Sequence, residues 1–506
     1  MVAAAVAFAA AACTSSGSTP TPLPSPLASG SVSTSPTTDT STPTPAAAGL
    51  TKFYAQHLSW QSCGHGFRCA TMTVPLDYSH PSGPTLGVAV TMHPATGSRR
   101  GALIVNPGGP GASGVDFAQY CYACFGAFTN HYDLASFDPR GVARTRAVRC
   151  LSPAELDEFF DLPPYPDTAA QRAQLIAGDK KFVQGCLRRN GSYLRHIGTI
   201  DSARDMDVFR ALLGDSKLTY YGASYGTYLG AKYAQLFPTH IRALVLDGAV
   251  DPAQDNLTGA AVQASGFETD LADFLRNCAA TGSCPLGDTS AAARRGFDDL
   301  QARIAAHPEQ VGSRRLGPAE FIGGVAQAMY ATSTWGDLRS ALRKAENGDG
   351  SGVLAFFDEL VERHKDGTYS NLQEAFNAIS CIDRQSPKDL SAYQDSVREH
   401  AKESPHFAAP IIYPSYVCAL WPVPPVEQAH PVSAPGAPPI LVVGTTHDPA
   451  TPYSWSQALA AQLHGRLLTR EGAGHTAFFS GNECIAQYID NYVLSLRLPA
   501  AGARCT

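Results

Sequence analysis

Between residues 217 and 237 an apolar strand pattern, a sharp turn and a helical pattern follow one another without a gap. Residues 217–221 are largely β-branched or aromatic, as a short buried strand requires. Residues 227–237 place Tyr228, Leu229, Ala231, Tyr233, Ala234 and Phe237 at helical spacing. Between them stands Gly222-Ala223-Ser224-Tyr225-Gly226. A chain that passes from strand to helix in so few residues must fold back tightly. It can do so only if the positions two before and two after the serine lack side chains, which Gly222 and Gly226 provide. Gly230 then lets the helix approach the sheet. In that context the pentapeptide predicts a nucleophile elbow, with Ser224 raised on a strained turn. On an ordinary loop the same pattern would be coincidence.

The rest of the chain repeats the alternation of strand and helix. Residues 69–75 and 86–92 read as two strands joined by a turn-rich segment, a hairpin at the edge of a sheet. Residues 101–106 form a wholly apolar strand that runs into Pro107-Gly108-Gly109-Pro110-Gly111. Strands are also predicted over 132–138, 241–247, 439–444 and 466–470, and helices over 201–213, 452–463 and 483–496; residues 153–190 read as helix and loop. From 252 to 430 the pattern changes to helices near 259–279, 290–307, 318–330, 335–347 and 352–365, without strong strands. The expectation is an α/β fold with a mostly parallel, doubly wound sheet and a large, mainly helical cap insertion. A chain of 506 residues is too long for one simple core. The expected parts are a signal segment at 1–13, a disordered Ser/Thr/Pro-rich tether at 14–50, a first core portion at 51–251, the cap at 252–430 and a second core portion at 431–506.

Two features point to export. The first thirteen residues are an apolar run too short to cross a bilayer, and they read as the h-region of a secretory signal. Ala10-Ala11-Ala12-Cys13 resembles a bacterial lipobox, which predicts lipidation at Cys13 and attachment to a membrane; the alternative is a cleaved signal with an incidental cysteine. The Ser, Thr, Pro and Gly that follow cannot bury enough apolar surface to offset their ordering entropy. The second feature is cysteine. There are 13, and setting Cys13 aside leaves an even set in close neighbours. In an exported protein such a set reads as disulfides, here Cys63–Cys69, Cys121–Cys124, Cys150–Cys186, Cys278–Cys284, Cys381–Cys418 and Cys484–Cys505, although spacing alone does not fix connectivity. Cys121-x-x-Cys124 also fits a redox or metal motif, but no second such pair or thioredoxin pattern accompanies it. Charged residues are 16% of the chain and the net charge is −6, with no long basic run, which argues against nucleic acid as a partner.

A serine hydroxyl needs a base to take its proton, and the base needs an orienting carboxylate. In chain order after an elbow serine these are an acid and then a histidine, each on a loop after a later strand. Asp448 follows the strand at 439–444 and His475 follows the strand at 466–470. Asp247, at the end of the strand after the elbow unit, is a rival acid. His447 is a rival base, but it adjoins Asp448 on one loop and could not readily face Ser224 while bonded to it. An oxyanion needs two backbone donors: the N–H of Tyr225, and an N–H from the glycine-rich turn, Gly109 in preference to Gly108. Pro110 has no N–H to offer. The turn lacks the pattern of a phosphate cradle, and no cofactor is called for.

Taken together, Asn106-Pro-Gly-Gly-Pro-Gly111, Asp138-Pro-Arg-Gly141, the elbow, Leu246-Asp-Gly248, Asp448-x-x-Thr-Pro452 and Gly474-His475 resemble α/β-hydrolase-fold serine peptidases of the proline iminopeptidase and tripeptidyl aminopeptidase group, especially secreted actinobacterial members. The resemblance runs over about residues 58–505. Two further cysteine-bearing segments, Ala378-Ile-Ser-Cys-Ile-Asp383 and Cys418-Ala-Leu-Trp-Pro422, share it and support a Cys381–Cys418 bridge in the cap. At Gly141-Val-Ala-Arg-Thr-Arg-Ala147 the chain departs from the family pattern. The resemblance implies an exported serine exopeptidase acting on peptides with a free N-terminus, through an acyl-enzyme at Ser224. Such an enzyme needs an acid near the cleft for the α-ammonium group, and Glu268 on the first cap helix is the candidate; the plain alternative is a solvated helix carboxylate. An esterase or lipase of the same fold, or a non-catalytic binding protein on a hydrolase scaffold, are the competing functions.

Overall fold

The computed structural model describes residues 49–506. Cys13 and the expected signal and tether lie outside those residues, apart from the last two positions of the tether. The chain opens with helix α1 (Thr51–Tyr54), strands β1 (Gln61–Ser62), β2 (Arg68–Pro75), β3 (Thr85–His93) and β4 (Gly101–Asn106), helix α2 (Gly114–Tyr120) and strand β5 (Tyr132–Phe137). Helices α3 (Pro153–Phe160), α4 (Ala169–Asn190) and α5 (Thr199–Leu212) precede the elbow unit of β6 (Leu218–Ala223), α6 (Tyr225–Leu236) and β7 (Ile241–Asp247).

A helical block follows, made of α7 (Asn256–Ala280), α8 (Ser290–Ala306), the small strands β8 (Glu309–Val311) and β9 (Arg314–Leu316), then α9 (Pro318–Met329), α10 (Trp335–Glu346), α11 (Ser351–Val361), α12 (Leu372–Asp383), α13 (Ser391–His400), α14 (Ala408–Ile412) and α15 (Tyr416–Ala419). The chain then returns to the sheet with β10 (Leu441–His447), α16 (Tyr453–Gln462), β11 (Arg466–Ala473), α17 (Glu483–Ser495) and β12 (Arg504–Cys505). The strand order is β1-β2-β3-β5-β4-β6-β7-β10-β11-β12, antiparallel from β1 to β5 and parallel from β5 to β12. This is an α/β-hydrolase fold with a helical cap.

The sheet explains the sequence pattern. β4, β5 and β6 are buried at every position, because helices cover both faces. β2 and β3 alternate, because this antiparallel flank is covered on one side only. The structure departs from the sequence reading at α1, α2, α12 to α15 and β12, where no element was expected, and in two further details. β1 adds a two-residue strand outside the β2–β3 hairpin, so the hairpin stands one strand in from the edge. The cap also contains the β8–β9 pair, whose three-residue strands are too short for a periodic signal.

Among the described residues six disulfides form: Cys63–Cys69, Cys121–Cys124, Cys150–Cys186, Cys278–Cys284, Cys381–Cys418 and Cys484–Cys505. Cys381–Cys418 ties α12 to α15, and Cys484–Cys505 ties α17 to the last strand. Among the described residues no helix is long and apolar enough to cross a membrane.

Candidate active site

β6 delivers Ser224 at its C-terminal end with φ +56° and ψ −125°, a conformation that L-residues rarely adopt. The glycines around it are required by contact. A Cβ on Gly222 would stand 2.4 Å from the Gly226 carbonyl oxygen, and one on Gly226 would stand 2.8 Å from that of Asn106. The turn is fastened from below: Ser224 N–H donates to the Asp247 carbonyl at 2.9 Å, and the Thr227 hydroxyl donates to the Ser224 carbonyl at 2.6 Å.

The glycine-rich turn after β4 lies directly against the elbow. A Cβ on Gly108 would come within 2.9 Å of both Ser224 Cβ and the Tyr225 nitrogen. Gly108 N–H is engaged by the Asn106 side-chain oxygen at 3.0 Å, whereas Gly109 N–H donates to no group among the described residues. Tyr225 N–H opens α6 and therefore has no helical carbonyl to meet. The turn is held in place by Asp138, which accepts from the Ser113 hydroxyl at 2.6 Å and from Val115 N–H at 3.1 Å.

The loops after β10 and β11 meet at His475. Its Nδ1 stands 2.8 Å from Asp448 Oδ1 and 3.1 Å from Oδ2. Asp448 is in turn fixed by N–H donors from Ala450, Thr451 and Thr476 at 3.0, 2.8 and 3.2 Å. Both residues are buried, and His475 Nε2 meets no partner among the described residues. The cap braces the same histidine: His475 N–H donates to the Tyr330 carbonyl at 2.8 Å, and the two rings meet edge to face with centroids 5.3 Å apart.

Asp247 has a different place. It accepts from the Tyr221 hydroxyl and from the N–H groups of Ala477 and Phe478, each at 2.8 Å, so it shapes the loop beyond His475 rather than orienting the ring. His447 turns away to the Asp273 carboxylate and is 45% exposed at its side chain.

Over Ser224 lies a cavity of about 60 Å³ whose walls include Gly109, Tyr225, Thr451, Trp455, Phe376 and Asp383. The cap supplies the last two from α12, and Thr451 reaches from the cavity wall to within 3.3 Å of His475 Nδ1. Asp383 is 3% exposed. Its Oδ1 accepts from Thr199 N–H at 2.7 Å and its Oδ2 from the Thr199 hydroxyl at 2.5 Å; that hydroxyl also bonds the Tyr225 phenol. Burial pushes the Asp383 carboxyl up to about 6, against the opposing effect of the Thr199 donors.

Residues 404–505 match the family described as TAP-like protein. Over 454 residues, 87% of each chain, the sequence is 38% identical to serine protease Hip1 of Mycobacterium tuberculosis. It is 38% identical over 469 residues to carboxylesterase B of the same species, covering 89% of this chain and 90% of that one. It is 33% identical over 467 residues to tripeptidyl aminopeptidase of Streptomyces lividans, covering 88% and 86%. The chain belongs to the α/β-hydrolase-fold serine hydrolases. Its relatives within that family are actinobacterial proteases, esterases and aminopeptidases.

In this serine hydrolase Glu268 is not among the residues that line the cavity over Ser224. Its carboxylate lies 2.7 Å from Arg294 Nη2 and 2.9 Å from His406 Nδ1. Burial opposes its ionisation, but His406 and Arg294 outweigh that and hold it below the usual range. A carboxylate already ion-paired inside the cap is a structural fastener. The acid that does line the cavity, Asp383, ends the segment that in sequence reads as a cysteine-bearing stretch. The signal was its position two residues after Cys381, which anchors α12, but periodicity does not say which face of α12 looks toward the elbow. Among the described residues no group of three or more metal-ligating side chains is gathered.

Proposed function

We propose that this chain is a serine exopeptidase that cleaves peptide bonds near a free N-terminus. The observation that carries this reading is the capped cavity over Ser224 with the buried Asp383 carboxyl in its wall. A substrate entering under the cap meets an acid suited to an ammonium group, and the small volume excludes a long chain on that side. Ser224 Oγ attacks the scissile carbonyl carbon while His475 Nε2 takes the hydroxyl proton. Asp448 holds the ring in the tautomer that leaves Nε2 free and stabilises the imidazolium that forms. The N–H groups of Tyr225 and Gly109 receive the oxyanion. As the C–N bond breaks, His475 returns the proton to the leaving amine; water, deprotonated by the same histidine, then releases the acyl group from Ser224.

The aminopeptidase name of one relative and the protease name of another support the peptide reading. The esterase name of a third favours a second one, hydrolysis of carboxylic esters by the same residues. Rates on a tripeptidyl amide with a free amine and on its N-acetylated counterpart decide between them. The exopeptidase reading expects the free amine to be preferred by about a hundredfold, the value of a charge-assisted contact. Equal rates on the two amides, or turnover of short acyl esters alone, would sink it.

A further inference from the structure

A second cavity, of about 150 Å³, lies between α4 and the cap helices α9, α11, α12 and α14, and shares no lining residue with the cavity over Ser224. Its body is apolar, with Phe160, Leu175, Ile322 and Phe357 among the walls. Its polar side chains are Asp179, Gln373, Asn377 and Tyr413. Asp179, on α4, is 1% exposed, and its Oδ2 meets no partner among the described residues. Gln373 donates its amide N–H to the Leu360 carbonyl at 2.9 Å, and Asn377 donates its own to the Gln373 carbonyl at 2.8 Å. Those bonds fix the orientation of both amides and leave their oxygens as acceptors. No Lys, Arg or His lines the cavity. A buried carboxyl left without a donor is costly, and an ammonium entering the cavity would compensate it.

We propose that this cavity binds a small primary amine with an apolar body, the ammonium seated on Asp179 and the body among the aromatic and aliphatic walls. The volume suits a body about the size of a benzene ring. Burial pushes the Asp179 carboxyl well above its usual range, and an adjacent ammonium reverses that preference as the acid proton leaves to solvent. The α12 helix is the wall between the two cavities: Gln373 and Asn377 face this one, and Phe376, Ser380 and Asp383 face Ser224. The proposal does not depend on the reaction at Ser224.

The test is calorimetric titration of the full chain with 2-phenylethylamine, beside ethylbenzene and 3-phenylpropionate. The amine is expected to bind, and both comparison ligands to bind about tenfold or more weakly, the value of one charged hydrogen bond. Asp179→Asn keeps the shape of the protonated acid and is expected to lose about tenfold in affinity for the amine. Ala326→Leu fills the cavity from α9 while leaving the Ser224 cavity unaltered, and is expected to abolish the signal; this separates the site from any amine affinity near Asp383. The proposal is overturned if the amine does not bind, if ethylbenzene or 3-phenylpropionate binds as tightly, or if Ala326→Leu leaves the titration unchanged. The three-ligand comparison on the unaltered chain stands even if a variant fails to fold.

Discussion

Ser224, Asp448 and His475 lie far apart in sequence, and each is a candidate there because it sits where a strand ends and a loop with small residues begins; the structure brings Asp448 and His475 together. Asp383 was not singled out, since nothing local distinguishes a helix carboxylate that faces a cleft from one that faces solvent. Ser224→Ala is expected to lower turnover by about 10⁵-fold or more and to abolish labelling by an active-site fluorophosphonate. The two acids near the histidine separate cleanly. Asp448→Asn is expected to cost about 10,000-fold in kcat with the fold intact, because the ring loses the partner that sets its tautomer. Asp247→Asn is expected to lower Tm more than it lowers kcat, since its bonds run to backbone and to Tyr221. The Asp383 carboxyl, raised to about 6, becomes an anion only as pH climbs past that value. Preference for free-amine over N-acetylated amides should therefore fade as pH falls below about 6, and Asp383→Asn should remove both the preference and its pH dependence. A preference that persists unchanged at pH 5 would count against the anchor.

At the scale of elements, α5 explains a motif whose purpose the sequence does not reveal. Arg140, fully buried after β5, forms a two-pronged pair with Asp205 on α5 at 2.7 and 2.9 Å and donates to the carbonyls of Pro75 and Leu76. It thereby fixes the end of the β2–β3 hairpin to the helix under the site. On the next turn-face of α5, Asp207 accepts from Tyr54, Tyr233 and Arg210, each at 2.8 Å, and lies 2.9 Å from His240 Nδ1. Burial opposes the charge on Asp207, but His240 and Arg210 outweigh it and hold the carboxyl well below the usual range. Its contribution is therefore present at neutral pH and is lost as pH falls from the ordinary carboxylate range toward its own lower value. Asp207→Asn is expected to cost about 3 kcal/mol at pH 7, read by denaturant unfolding, and to flatten the acid side of the stability profile. Most strands of the sheet and the cap helices α7 to α11 were readable to within a few residues, since burial imposes its own pattern; α12 to α15 were not. The partners of single charges were not, because they join residues from different elements.

The described residues form a sheet that carries Ser224, Asp448 and His475 and a helical cap over it, and the cap is held to itself by covalent links. Cys381–Cys418 closes a loop of 37 residues that includes α13 and α14 and fixes α12 against α15. Replacing both cysteines by serine is expected to cost about 4 kcal/mol of stability, most of it through the unfolded chain. The paired variant should also bind substrate more weakly, since α12 forms a wall of the cavity. Loss of stability without any change in KM would place α12 under other control. The Tyr330–His475 contact has its own consequence. The carbonyl that steadies the histidine loop belongs to the cap, just beyond the end of α9, and not to the sheet that carries Ser224. Any displacement of the cap that carries Tyr330 outward also withdraws a brace from His475.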